Sequence, residues 1–124
     1  MIAVQSAQAP AAYETWKAGA PVEAPMRTIA EGLATRSSYA LPQSMLRGRL
    51  HDFLLVDDSE LEGAIATYVE RCHVIAEHAG AAALAGAIKV KDRLRGKKVA
   101  VVLSGANITV EQLSKAMASA GKTA

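Results

Sequence analysis

The sequence predicts an α/β fold: a partial, open parallel sheet with flanking helices. Three observations carry this. Three short apolar runs rich in branched residues (Ile2–Gln5, Phe53–Val56 and Val99–Leu103) are separated by stretches with helical periodicity. The runs do not alternate with polar residues, which suits strands covered on both faces. The third run ends in Ser104-Gly105-Ala106-Asn107 just before a new helix, as when a buried strand delivers polar groups to a crevice at its carboxyl end.

Ile2-Ala3-Val4-Gln5 reads as the first strand, and a strand so near the first residue suggests further sequence upstream. A helix then runs from Ala9-Pro10 to about Lys17, with Pro10 in the first turn and Gly19 as the stop. Tyr13 and Trp16 share a face and read as packing residues rather than a stacking platform. From Gly19 to Gln43, Gly19, Pro21, Pro25, Gly32 and Pro42 punctuate a long connection, either functional or an ordinary surface loop.

Pro42 to Leu50 is expected to form a short helix with Met45, Leu46 and Leu50 inward, and Phe53–Val56 the second strand. The next helix is capped by Asp57 with Glu60 or by Ser59 with Glu62, and carries a stripe of Leu61, Ile65, Tyr68, Val69 and Cys72. A helix rich in Ala and Gly is expected from Glu77 to Arg95, with Gly96 as its stop. Gly80 and Gly86 each cost about 1 kcal/mol inside a helix, a cost offset where a sheet or a ligand must come close. The central strand follows, then a capping box at Thr109–Gln112 with an Ile108–Leu113 staple, and a last helix fading at Gly121.

The 124 residues read as one α/β segment, 51% hydrophobic but only 4% aromatic, so the core must be built from Ala, Val, Leu and Ile. The net charge of +2 comes from interspersed signs, which argues against a nucleic-acid surface. No stretch is long and apolar enough for a membrane span and none resembles a signal peptide. With its one cysteine, Cys72, the chain is expected to be cytoplasmic.

Most catalytic constellations are excluded. His73 and His78 lie five apart, about 140° around a helix, and so do not share a face. Cys72 and His73 are adjacent and poorly placed to chelate one ion, so no metal site is expected. Ser104 lacks the flanking glycines of a nucleophile elbow, with Val102 and Ala106 in those places, and there is no phosphate-loop or dinucleotide motif. What remains is Ser104 at the end of a strand, Gly105 beside it and Asn107 bracing the turn. Ser104 either contacts a ligand's ring or simply starts the loop, and Asn107 either braces a site or caps the last helix.

Four stretches in order, Ile29–Ala34, Leu55–Leu61, Ala76–Ala83 and Val102–Asn107, together resemble the C-terminal part of the catalytic domain of serine/threonine dehydratases. These are fold-type-II pyridoxal-phosphate enzymes, related to serine racemase. The resemblance implies that Ser104 hydrogen-bonds the pyridine nitrogen of pyridoxal 5'-phosphate, that Gly32 lies near the cofactor ring, and that Glu77 faces the pocket, with Gly105 and Asn107 completing the turn. It implies a parent reaction converting L-threonine or L-serine to a 2-oxo acid and ammonia. A neutral hydroxyl partner on the ring nitrogen would favour β-elimination.

The sequence departs from the family pattern at His78 and Ala106, where glycine is usual, adding an imidazole beside Glu77 and a methyl under the ring. Gln5, Pro10 and Ala11 occupy the region where some relatives hold a divalent cation, and no metal site is carried over. The family's Schiff-base lysine and glycine-rich phosphate loop lie upstream of the matched region. Lys17, Lys89, Lys91, Lys97, Lys98, Lys115 and Lys122 all lack the expected context. No catalytic residue is therefore assigned. The chain is expected to be a silent fragment of a larger catalytic domain, associating with itself or with a complementing chain. The alternative is a non-catalytic α/β interaction module stabilised by oligomerisation.

Overall fold

A computed structural model describes residues 1–120; the expected fading of the last helix at Gly121 lies outside the described residues. Elements follow in the order β1 (Ile2–Ser6), α1 (Ala11–Ala18), a 3-10 turn (Glu31–Leu33), α2 (Ala40–Leu46) and β2 (Asp52–Val56). Then come α3 (Asp58–Thr67), a π-turn (Tyr68–Cys72), α4 (His78–Lys89), a 3-10 turn (Lys91–Leu94) and α5 (Val110–Ala120). The fold is α/β, as the sequence predicts, on a small parallel sheet.

β1 and β2 pair in parallel, with Ala3 opposite Phe53 and Val4 opposite Leu54. Alternation along the strands gives each face its own cover. On one face the Gln5 side chain accepts the Tyr13 amide proton at 3.0 Å, and Phe53 receives the edges of Tyr13 and Trp16 at 5.7 and 5.9 Å between centroids. The two aromatics of α1 are thus packing residues. On the other face Val4 lies against Gly86 of α4, where an added Cβ would stand 2.5 Å from Val4 Cγ2. This glycine is spent on close helix-on-sheet packing.

The expected third strand does not form. Residues 99–103 form no helix and join no ladder, and Val99 and Val102 are 50% and 71% exposed. The run has the composition of a buried strand, yet β1 pairs only with β2, so nothing sits at ladder distance. Helix boundaries also shift. α2 starts at Ala40 and stops at Leu46, so Pro42 falls in its first turn, where a missing amide costs least. α4 stops at Lys89, and a separate 3-10 turn reaches Leu94 before Gly96 adopts φ 73°.

The stripe on α3 holds for Leu61, Ile65 and Tyr68, all buried, but not for Cys72, which is exposed. The wider π-turn rotates the end of the stripe out of the core. Of the two capping options at this helix, Asp57 with Glu60 is used: the Asp57 amide donates to the Glu60 carboxylate at 2.7 Å. At α5 the Thr109–Gln112 box closes in both directions, at 3.0 and 3.1 Å, and Ile108 and Leu113 both pack on the core.

Candidate functional site

The site is assembled around the first turn of α4. Glu77 caps this helix in an extended conformation, and its amide donates to the Gly105 carbonyl at 3.1 Å. That bond fastens the Ser104–Asn107 turn, 27 residues further along by number, to the helix start. The contact is close enough to demand glycines. A Cβ on Gly80 would overlap the Gly105 carbonyl oxygen and stand 3.0 Å from the Gly105 carbonyl carbon and nitrogen. A Cβ on Gly105 would overlap the Glu77 carboxylate, with Glu77 Cδ at 2.8 Å. A Cβ on Gly32 would stand 2.9 Å from Ala79 Cβ and 3.9 Å from Glu77 Oε1. Three stretches far apart in sequence therefore meet here, α4 and the Ser104–Asn107 turn through their backbones and the Gly32 stretch against the side chains of Ala79 and Glu77.

Two hollows open on either side of this junction. One, a cleft of about 140 Å³, is lined by Gly32, Glu77, His78, Asn107 and Gln112, with Ile29, Glu31, Ala79 and Thr109. The other takes Ser104, Val102, Leu33, Ala79, Ala82 and Ala83, with Met1, Ile2, Val4 and Ala100. Ala79 lines both. Of the five residues singled out in the sequence, Gly32, Glu77 and Asn107 share the cleft and Ser104 lines the apolar hollow, while Gly105 lines neither and packs against Glu77 and Gly80. Ser104 and Asn107 are exposed, while Glu77 and Gly105 are half-buried.

The loop carrying Gly32 is held by a residue the sequence reading did not single out. Asp58 accepts from Thr28 Oγ1 at 2.6 Å and from the Ile29 amide at 2.9 Å, and also from Ser6 Oγ at 3.3 Å. The signal was present in Asp57-Asp58: one acid suffices for the cap, and Asp57 supplies it while also receiving Gln8 Nε2 at 3.1 Å. The second acid is surplus to the helix and free to clamp the loop.

His78 turns inward from α4 and is only 6% exposed. Burial pushes its imidazole below the usual value of 6.5; the carboxylates of Glu62, Asp58 and Glu77 oppose that shift, and Lys115 adds to it. The neutral form is therefore favoured in the fold. Its stabilising share is full above pH 6.5 and is lost as pH falls toward the lowered folded value. Thermal melts between about pH 5 and 7 should show stability falling on the acid side, and His78→Gln should flatten that slope. An unchanged slope in the variant would remove His78 as its source.

The ring and the phosphate of a pyridoxal cofactor make different demands on these residues. An exposed hydroxyl at the edge of an apolar shelf of Ala79, Ala82 and Ala83 suits a flat heteroaromatic ring with one polar nitrogen. The phosphate is not provided for: no lysine or arginine lines either hollow among the described residues, and Glu31 and Glu77 place acid there. Lys89 is instead paired with Glu60 at 2.8 Å, and Lys17 lies over the Tyr13 ring at 5.6 Å. The residues present fit one end of such a group.

Comparison with known proteins points the same way. The profile of the family described as "Pyridoxal-phosphate dependent enzyme" matches residues 1–105. Over 117 residues the chain is 35% identical to L-threonine ammonia-lyase of Geobacter sulfurreducens, covering 92% of this chain and 29% of that protein. It is 29% identical over 86 residues to serine racemase of Schizosaccharomyces pombe, covering 69% of this chain and 27% of the relative. The structure of the processed form of threonine deaminase isoform 2 from Solanum lycopersicum superposes with a TM-score of 0.85 at 25% identity, covering 97% of this chain and 36% of that one. The chain thus spans roughly three tenths of the length of the curated relatives it matches.

Proposed function

This chain belongs to the pyridoxal-phosphate dependent enzymes, and on that premise we propose that it forms the ring-binding wall of an ammonia-lyase site for L-threonine or L-serine. The observation that carries the reading is the junction of Gly32, Glu77 and Gly105 at the start of α4, with the Ser104 hydroxyl beside it on an apolar shelf. When bound, the cofactor supplies an electron sink for breaking bonds at the amino acid's α-carbon. Everything else on this wall is positioning. Ser104 holds the ring nitrogen by a neutral hydrogen bond, which tempers that sink and favours β-elimination. Gly32 and Gly105 keep the backbone low enough for a flat ring, Glu77 presents an acceptor to the cleft, and Asn107 braces the turn.

The lysine and the phosphate cradle of the reaction are not supplied by this wall, so the wall alone holds and orients the ring without turning substrate over. Cys72, free and exposed, suits a reducing cytoplasmic setting. The resemblance of relatives named as threonine ammonia-lyases and serine racemases supports a small hydroxy-amino acid as substrate.

The test mixes this chain with a separately made polypeptide carrying a family lysine and phosphate loop, then measures cofactor retention by dialysis and 2-oxo acid release from threonine and serine. The mixture should retain cofactor and release product, and Ser104→Ala should weaken retention about three- to tenfold, the worth of one neutral hydrogen bond. Equal retention by the variant would remove Ser104 from the ring. Retention by this chain alone, abolished by one lysine substitution, would overturn the assignment of the lysine elsewhere. A mixture with neither retention nor product would leave the non-catalytic module as the better reading.

A further inference from the structure

The short helix α2 buries the residue that its sequence would turn outward. Its one buried residue is Gln43, 4% exposed, while Leu41 and Met45 are 71% and 55% exposed. An amphipathic helix turns its apolar side chains inward, and an amide is buried at a cost unless its hydrogen bonds are made. Gln43 makes only those of its nitrogen: Nε2 donates to the Ala12 carbonyl at 2.9 Å and to Ser38 Oγ at 2.7 Å. Turning the amide over would set Oε1 against the Ala12 carbonyl, acceptor to acceptor, so its orientation is fixed. Oε1 is thereby left buried, with nothing donating to it among the described residues.

Gln43 stands at the wall of a hollow of about 470 Å³, lined also by Thr15, Ser38, Ser44 and Arg47. Small-molecule sites span roughly 300–1,000 Å³. None of Gly32, Glu77, Ser104, Gly105 and Asn107 lines this hollow. Arg47 reaches the end of α1, where a Cβ on Gly19 would stand 3.9 Å from its Nη2. Its guanidinium joins none of the ion pairs formed among the described residues, which use Lys89, Arg93 and Arg95. Ser38 Oγ accepts from Gln43 and keeps its own proton to donate. Thr15 is committed to Val22, its hydroxyl donating to the carbonyl at 3.3 Å and accepting from the amide at 3.0 Å.

One hollow thus presents a cation without a counter-charge, a buried acceptor without a donor, and a hydroxyl with a proton to give. A simple anion would answer Arg47 and leave Oε1 as it is. A simple amine would answer Oε1 and meet the repulsion of the guanidinium. A carboxylate and an ammonium held on one carbon answer both. We propose that this hollow is a second binding site, taking a small α-amino acid as its zwitterion, with the carboxylate on Arg47 and Ser38 and the ammonium on Gln43 Oε1. Both contacts are charge-assisted, the stronger class of hydrogen bond. The site is independent of the reading of Ser104 as a partner of the cofactor ring.

A nuclear magnetic resonance titration of the full chain without cofactor tests the site with three probes. They are L-alanine, propanoate, which lacks the ammonium, and ethylamine, which lacks the carboxylate. L-Alanine should shift the Gly19 and Ser44 backbone amides and the Gln43 side-chain amide saturably in the millimolar range. Propanoate and ethylamine should bind about tenfold more weakly or less. Arg47→Met, at an exposed position, should leave the rest of the spectrum in place and weaken L-alanine about tenfold or more. Gln43→Met, which removes the acceptor, should weaken it by a similar factor; should that variant not fold, Arg47→Met decides. Any of three results would overturn the proposal: no saturable shift with L-alanine, binding of propanoate or ethylamine as tight as that of L-alanine, or undiminished binding by either folded variant. L-Alanine has no β-hydroxyl to lose and cofactor is absent, so failure of the ring site leaves this outcome untouched.

Discussion

Replacing Gly80 with alanine is expected to cost the complemented site about a hundredfold in turnover, the scale of a displacement of roughly 1 Å in positioned groups. The new Cβ meets backbone, the Gly105 carbonyl, which no side-chain rotation can move aside. The Ser104–Asn107 turn must then lift off α4, and the bond from the Glu77 amide to Gly105 goes with it. In stability the change is smaller. Overpacking costs about 1–3 kcal/mol, against which alanine returns up to about 1 kcal/mol of helix propensity. Gly63→Ala is the matched control: Gly63 also lies inside a helix, α3, but an added Cβ there meets nothing within 4 Å. It should be neutral or stabilising by about 0.5–1 kcal/mol with turnover unchanged. Turnover and melting temperature measured on both variants check this, and equal turnover in the two would show that the Gly80–Gly105 approach does not set the site.

That contrast shows what a sequence can carry. Gly63 and Gly80 look alike as letters in alanine-rich helices, and only the partner brought opposite distinguishes them. Local devices were legible because their partners lie within a few residues: the Asp57–Glu60 and Thr109–Gln112 caps, and the stop at Gly19 with φ of 74°. The convergence of Gly32, Glu77 and Gly105 was legible through the order of four short motifs, not through any periodicity. The ladder at residues 99–103 was not, because an apolar run records the burial its segment is suited to, whereas pairing depends on the neighbour beside it. The π-turn at Tyr68–Cys72 escaped for a related reason: one extra residue in a turn leaves the composition unchanged while rotating every later side chain.

Leu61→Ala is expected to destabilise the chain by about 3–4 kcal/mol and lower its melting temperature by roughly 10–15 °C. The reason lies in composition. With so few aromatics the buried set is mostly alanine, and the largest fully buried side chains are Leu61, Ile65, Val56 and Ser6. Neighbours such as Ala30, Ala64, Ala81 and Ala85 have no length with which to close a cavity, so relaxation recovers little of the lost contact. Leu84→Ala, at a half-buried position, should cost clearly less. A loss below about 1 kcal/mol for Leu61→Ala, by thermal or urea unfolding, would show that this core is not the source of cohesion.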